Sequence, residues 1–273
     1  MEDRPSAEST AKAERRGIQS VEIAFRLLTT LQKTQQALPL KEIAARSGMT
    51  TSAANNYLVS LVRTGLAAAD EKPGFYKLGP AALMLGISAT QQIDGFDLVR
   101  RELGTLRDAT QCSAAITTWT NDGVLSLFKL EGQQRGAFEL RTGLMSFLST
   151  AAGKVFAACL PLPVTMPFLE QEWAAAKERK GSLEDFYAEA KQELQQNGYA
   201  RMLGRLDLSG YASIAAPVSN WTGDVKFVLS LVGSHTILDT EPGTPHVVAL
   251  LQAAARATSL LGGTSRPAEK AVK

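Results

Sequence analysis

The sequence predicts an α/β multidomain (α+β) chain, with a winged helix-turn-helix in front, a long linking helix, and a mixed α/β domain behind. Three observations carry that prediction. Residues 20–65 hold three short apolar repeats of helical period. A strand–turn–strand pattern follows over residues 66–78. Beyond Thr110 the pattern alternates between strand-like and helix-like runs.

The bulk numbers bound the answer. The chain has 273 residues, 45% hydrophobic and 21% charged, which are ordinary globular values and enough to bury a sizeable core. It has no apolar run of about 18 residues, so no spanning helix and no membrane partner are expected. The opening MEDRPSAESTAKAERR lacks the apolar centre of a signal peptide, and the expected location is cytoplasmic. The cysteines Cys112 and Cys159 and the histidines His235 and His246 are not at metal-ligand spacing. Two buried, reduced thiols and no metal or cofactor are expected. The net charge of +2 says little, but residues 1–79 carry +3 and the rest −1. That sign fits a nucleic-acid partner at the front.

The elements follow in order. Residues 1–16, ending in Arg15 and Arg16, read as a disordered arm. Val21, Ala24, Phe25, Leu28 and Leu31 form one helical face, with Ser20 as N-cap and Glu22 in the first turn. Leu40, Ile43, Ala44 and Ser47 line a second helix, and Gly48 is its C-cap. A third helix starts at Thr50 or Thr51, points Ala54, Tyr57, Leu58, Leu61 and Val62 inward, and stops at Gly65. Leu66–Ala69 and Phe75–Leu78 are strands around the turn residues 70–74. Gly79-Pro80 opens a helix reaching about Asp108, weakened at Gly95. Strands are expected over 114–118, 124–130, 137–141, 211–218 and 225–232, and helices over 150–160, 183–197 and 245–261. The domains are therefore the arm 1–16, a DNA-binding domain 17–79, a linker helix 80–109, a ligand-binding domain 110–262 and a tail 263–273.

Residues 40–65 carry the functional signal. Two short helices across a tight turn at Ser47-Gly48-Met49-Thr50 form a helix-turn-helix, whose second helix enters the major groove of DNA. With Ala54, Leu58 and Leu61 inward, the opposite face shows Thr51, Ser52, Asn55, Asn56, Val59 and Arg63. Asparagine pairs bidentately with adenine, and hydroxyls bond phosphates or bases. Lys72 and Lys77 on the hairpin and Arg16 on the arm are candidate phosphate contacts. The bland alternative is a helical hairpin with a polar surface. The added hairpin speaks against it.

At this point the sequence resembles the IclR family of bacterial transcriptional regulators. The resemblance rests on Gly17-Ile18-Gln19-Ser20-Val21-Glu22, on the run Leu40 to Met49, and on Gly65-Leu66 and Phe75 to Pro80. Farther on it rests on Ser149 to Lys154, Asn197-Gly198-Tyr199-Ala200 and Ser213 to Val218, in the family's order. The resemblance implies a GAF-like effector-binding domain, a dimer or tetramer on a palindromic operator, and repression or activation of genes, often catabolic, in response to small organic or aromatic acids. One departure stands out. Family members usually carry a basic residue or histidine early on the third helix, where this chain reads Thr51-Ser52-Ala53-Ala54-Asn55-Asn56-Tyr57.

The start of the helix at Thr150 has small residues, and a helix start with free N–H groups favours anions. By resemblance, Ala152 and Gly153 present N–H groups to an effector carboxylate. Ser213 and Ser230 donate hydroxyls from facing strands, Tyr211 and Phe138 form walls, and Asp207 lies in a loop where the family carries an acid. Each has a structural alternative. Ala152-Gly153 also suits close helix packing, the serines also suit bonds within their own sheet, Phe138 also suits core, and Lys154 is expected to snorkel to solvent. Val232 replaces a hydroxyl common in the family, which points to a less polar effector.

Two other classes compete. An enzyme needs a nucleophile–base pair or paired carboxylates, and neither GxSxG, HExxH nor a glycine-rich nucleotide loop occurs. No catalytic residue is assigned. The remaining alternative is an effector-binding sensor or scaffold that has lost sequence-specific DNA binding, which the uncharged third helix keeps open.

Overall fold

The computed structural model describes residues 17–34, 36–92, 94–133, 142–176, 181–203 and 210–264. Arg16, Phe138 and Asp207, the arm, the strand expected over 137–141 and the tail beyond 264 lie outside them. The chain divides into two compact units, Met1–Gln92 and Ile93–Lys273.

The first unit runs α1 (Gln19–Gln32), β1 (Leu38–Pro39), α2 (Leu40–Arg46), α3 (Thr51–Arg63), β2 (Ala67–Ala69), β3 (Phe75–Leu78) and α4 (Pro80–Gln91). Its sheet has the order β1-β3-β2, so the expected hairpin gains a third short strand. Thr50 caps α3, its side chain accepting from the Ala53 N–H at 3.2 Å. Ala54, Leu58 and Leu61 are buried against Leu27, Leu31, Ile43 and Ala44. Val62, expected inward, is exposed.

The first helix departs from the expectation. It begins at Gln19 with Ile18 at the N-cap position and no side-chain cap, so Ser20 lies inside the helix. Val21 and Phe25 are 63% and 68% exposed, while Leu27, Thr30 and Leu31 are buried. Ala24, Leu28 and Leu31 pack as expected, but Ile23 and Leu27 pack beside them in place of Val21 and Phe25. The reason is that apolar residues surround much of α1, and periodicity alone does not fix its rotation. The packed face also seats Thr30, whose hydroxyl lies 3.0 Å from the Ser47 hydroxyl in the helix-turn-helix turn.

The second unit runs α5 (Phe96–Thr110), β4 (Ser113–Thr120), β5 (Gly123–Leu130), β6 (Gly143–Leu144), α6 (Ala151–Cys159), α7 (Leu162–Ala175), α8 (Leu183–Asn197), β7 (Ala200–Leu203), β8 (Tyr211–Ser219), β9 (Val225–Ser234) and α9 (Pro245–Leu260). The six strands form one antiparallel sheet of order β6-β5-β4-β9-β8-β7. One face packs on α5 and α9 through Val99, Leu103, Ile116, Ile214, Leu229 and Leu250. The other packs on α6, α7 and α8 through Val155, Phe156, Leu169, Phe186, Ala215 and Val228. This is the helix–sheet–helix layering of a GAF-like domain.

The helix expected from Pro80 to about Asp108 is two helices. Gly95 takes a left-handed φ of 76° and starts α5. A Cβ there would lie 2.1 Å from Leu261 Cδ2, so the end of α9 packs where only glycine fits. Helix α7 has no counterpart among the expected elements, and it carries Pro163 and Pro167, a residue type that disfavours helix interiors. Pro163 sits in the first turn, where its missing N–H costs nothing, and Pro167 gives up one intrahelical bond.

Candidate DNA-reading helix and effector pocket

The outer face of α3 is uncharged over its first three turns, and polar apart from the exposed Val59. Thr51, Ser52 and Asn56 are exposed, Asn55 is half-buried, and Arg63 is exposed in the last turn. At about 1.5 Å per residue, Arg63 stands roughly 18 Å along the helix from Thr51. The first turns therefore offer hydroxyls, amides and N–H groups, not cations.

The wing lysines are both engaged within their own hairpin. Register places Ala68 opposite Lys77 and Ala69 opposite Tyr76, which brings the turn residue Asp70 beside Lys77. Lys77 Nζ donates to Asp70 Oδ1 at 2.8 Å. That hydrogen bond holds the Asp70 carboxyl below its ordinary range and raises the Lys77 ammonium. Lys72 Nζ lies 4.1 Å from the centre of the Phe75 ring, a cation–π contact. Arg46 pairs with Glu42 one turn back on α2.

The second candidate site is the sheet face under α6. Thr150 caps α6, accepting from the Gly153 N–H at 3.0 Å. A Cβ on Gly153 would lie 2.3 Å from the Phe147 carbonyl oxygen. The chain before α6 thus presses directly on the helix backbone, and one N–H of the first turn is already used. The turn is held from outside by Glu172 of α7, which accepts from Ser146 Oγ at 2.6 Å, Phe147 N at 2.9 Å and Leu148 N at 3.3 Å. Lys154 does not snorkel. It is buried, with Nζ 2.8 Å from Glu189 Oε1 and 3.2 Å from Glu193 Oε2 on α8.

Register gathers the expected strand residues on one face. Ser213 of β8 pairs with Val232 of β9 and Met202 of β7, and Ala215 pairs with Ser230. Met202 and Ala215 belong to the core under α6, so Ser213 and Ser230 share that face. Tyr211 is half-buried at the start of β8. Among the described residues Ser230 Oγ has no hydrogen-bond partner, and neither does Ser126 Oγ on β5, a residue sequence reasoning missed. Its signal was available: Val124 and Ser126 alternate on one side of a strand, and the second of the two is polar. Cys112 is buried, which pushes its thiol pKa up and keeps it neutral. Cys159 is only half-buried.

A groove of about 310 Å³ lies on the opposite face of the sheet, at the β8–β9 turn, with Trp221, Lys226 and Asp94 among its lining. None of the expected effector residues lines it.

A helix-turn-helix with a wing, and a separate sheet domain with polar side chains turned under a helix start, define the build of a one-component transcriptional regulator. Residues 20–71 match the IclR helix-turn-helix domain, and residues 87–260 match the C-terminal domain of bacterial transcriptional regulator IclR. The chain belongs to the IclR family of bacterial transcriptional regulators.

Among solved structures, HmgR of Pseudomonas aeruginosa is 26% identical, with 91% of this chain and all of that one covered, at a TM-score of 0.57. An IclR transcriptional regulator of Alicyclobacillus acidocaldarius is 25% identical over 90% of this chain and all of its own, at a TM-score of 0.77. An IclR homologue of Microbacterium hydrocarbonoxydans, complexed with 4-hydroxybenzoate, is 17% identical over 89% of this chain and 98% of its own, at 0.74, a likeness of fold. No curated protein matches the chain. Among the described residues no helix is long and apolar enough to cross a membrane.

Proposed function

We propose that the protein is a ligand-responsive regulator of a catabolic operon that binds a palindromic operator and answers to a small organic or aromatic acid. The observation that carries the DNA half is the outer face of α3, where Ser52 and Asn56 stand exposed above the buried Ala54, Leu58 and Leu61. Thr51, Asn55 and Arg63 complete the reading surface, and Lys72, Lys77 and Arg16 supply phosphate contacts. Asp70 already takes one of the three Lys77 N–H donors and offsets its charge, which weakens its pull on a phosphate.

The effector half rests on the face under α6. Ser230 offers a hydroxyl there that has no partner among the described residues. Ala152, Gly153, Ser213 and Tyr211 line the same region, with Phe138 and Asp207 assigned by resemblance. With Gly153 already bonded to Thr150, the free N–H groups of the first turn fall to the residues beside it. The 4-hydroxybenzoate held by the Microbacterium homologue supports an aromatic acid as the effector class.

Self-association is part of the reading. Ile18, Val21 and Phe25 stand exposed at helical spacing along α1, and Leu83, Met84, Leu85 and Ile87 stand exposed on α4. Apolar stripes of this kind mark association surfaces, and a two-fold dimer matches a palindrome. A cytoplasmic location follows from that role. Family membership favours regulation over catalysis. The competing sensor or scaffold reading draws on one observation, the lack of a basic residue on α3 before Arg63. Mobility shift of the purified protein on DNA upstream of its own gene decides between them. Retention that is sequence-specific and weakens with salt supports the regulator, and retention that is absent or indifferent to sequence supports the scaffold.

A further inference from the structure

The two orphan hydroxyls on the sheet have a geometry of their own. Ser126 is 2% exposed and Ser230 5%, and neither Oγ has a hydrogen-bond partner among the described residues. Thr117 of β4 pairs with Ser126 on one side, and Ala115 of β4 pairs with Ser230 on the other. Val124 and Val228, each two residues before its serine, both belong to the core under α6. Side chains two apart on a strand share a face, so both hydroxyls lie on the α6 side and flank β4.

Strand spacing then fixes the scale. With β4 between them, β5 and β9 run roughly 10 Å apart. The serines are too far apart to satisfy each other, and too far apart for a two- or three-carbon acid to touch both. Ala115, with only a methyl group, lies between Ser230 and the far strand. A ligand that touches both hydroxyls must span this floor, as a ring with a polar group at each end does. Thr117 does not compete for the ligand, since its hydroxyl donates to the Val228 carbonyl at 3.3 Å.

We propose that Ser126 is a second polar anchor of the effector site and a determinant of its specificity. The effector is then an aromatic acid bearing a ring hydroxyl, with its carboxylate toward the α6 start and Ser230 and its hydroxyl on Ser126. This rests on the reading of the α6 face as the effector site.

Titration calorimetry of the full chain with benzoate, 3-hydroxybenzoate, 4-hydroxybenzoate and pyruvate tests it. Wild type is expected to bind one of the hydroxybenzoates about three- to tenfold more tightly than benzoate, the worth of one net hydrogen bond. Ser126→Ala erases that preference and leaves benzoate affinity unchanged, while Ser230→Ala weakens all three aromatic acids. Ligand-free Ser126→Ala melts no lower than wild type, because the hydroxyl it loses has no partner to give up. A preference that survives Ser126→Ala overturns the inference. So does a wild type that does not distinguish the acids; if Ser230→Ala still weakens benzoate in that case, the effector-site reading stands alone. Binding of pyruvate but of no aromatic acid, or of none of the four, defeats the inference and the aromatic class together.

Discussion

Lys77 and Asp70 face each other across the wing hairpin, ammonium to carboxylate, at 2.8 Å. The pair is solvent-exposed, so it adds little to stability, but it sets how much positive charge the wing presents. Asp70 occupies one of the three N–H donors of Lys77 and offsets the charge that a DNA phosphate would meet.

Asp70→Asn is therefore expected to tighten DNA binding on every sequence alike and to steepen the salt dependence by up to about one unit of slope. Lys77→Ala weakens binding evenly and flattens the slope. Filter binding over a salt series on specific and scrambled DNA measures both. An unchanged affinity for Asp70→Asn would show that the wing lies off the DNA. The sign of the pH effect follows from the depressed Asp70 pKa: the pair is intact above the ordinary carboxylate value of 3.8 and is lost as pH falls below it. The wing is thus insensitive to pH near neutrality.

Asn56→Ala should behave differently. It removes a group that can pair with a base edge, so it costs about 1–3 kcal/mol at one base pair and little on non-specific DNA. Asn55→Ala follows the same pattern, tempered by its partial burial. Selection of binding sites from a randomised pool reads this directly, and an unaltered consensus for both variants counts against a reading role.

Gly153→Ala isolates the packing role of the α6 start. The added methyl meets backbone of Phe147, which cannot swing aside, so a loss of about 1–3 kcal/mol is expected in ligand-free protein. Denaturant unfolding measures it. Wild-type stability with lost effector binding would instead assign Gly153 to the ligand alone.

Lys154→Ala tests the buried cation. Its loss leaves Glu193, 11% exposed, with only Arg201 as an ionic partner among the described residues. Breaking such a pair from one side costs about 3 kcal/mol. The double variant Lys154→Met with Glu193→Gln should recover part of that loss, and a thermal melt of the two proteins shows whether it does.

Local signals explain which elements were legible in the sequence. Thr50 and Gly65 bracket α3, and a capping box of Ser182 with Asp185 starts α8 before Gly198 ends it. Such signals act within a few residues, so these helices fall where expected. The rotation of α1 was not legible, because Val21 and Phe25 are as apolar as the residues that pack. Neither was α7, where two prolines are accommodated in a helix. The two-residue strands β1 and β6 exist only through their partners Phe75–Tyr76 and Leu125–Ser126. The site shows the same divide. Apart from Val62, which residues project from α3 follows from period, whereas the pairing of Lys77 with Asp70, the use of the Gly153 N–H and the isolation of Ser126 depend on tertiary neighbours.

The central claim is that α3 reads DNA through its uncharged face. Base-resolved interference footprinting on the upstream region, comparing wild type with Ser52→Ala and Asn56→Ala, tests it most directly. The account predicts two symmetric half-sites about one helical turn apart, read in the major groove, with each variant losing the same base positions in both halves. A footprint that the two variants leave unchanged would contradict it, as would contacts confined to the phosphates.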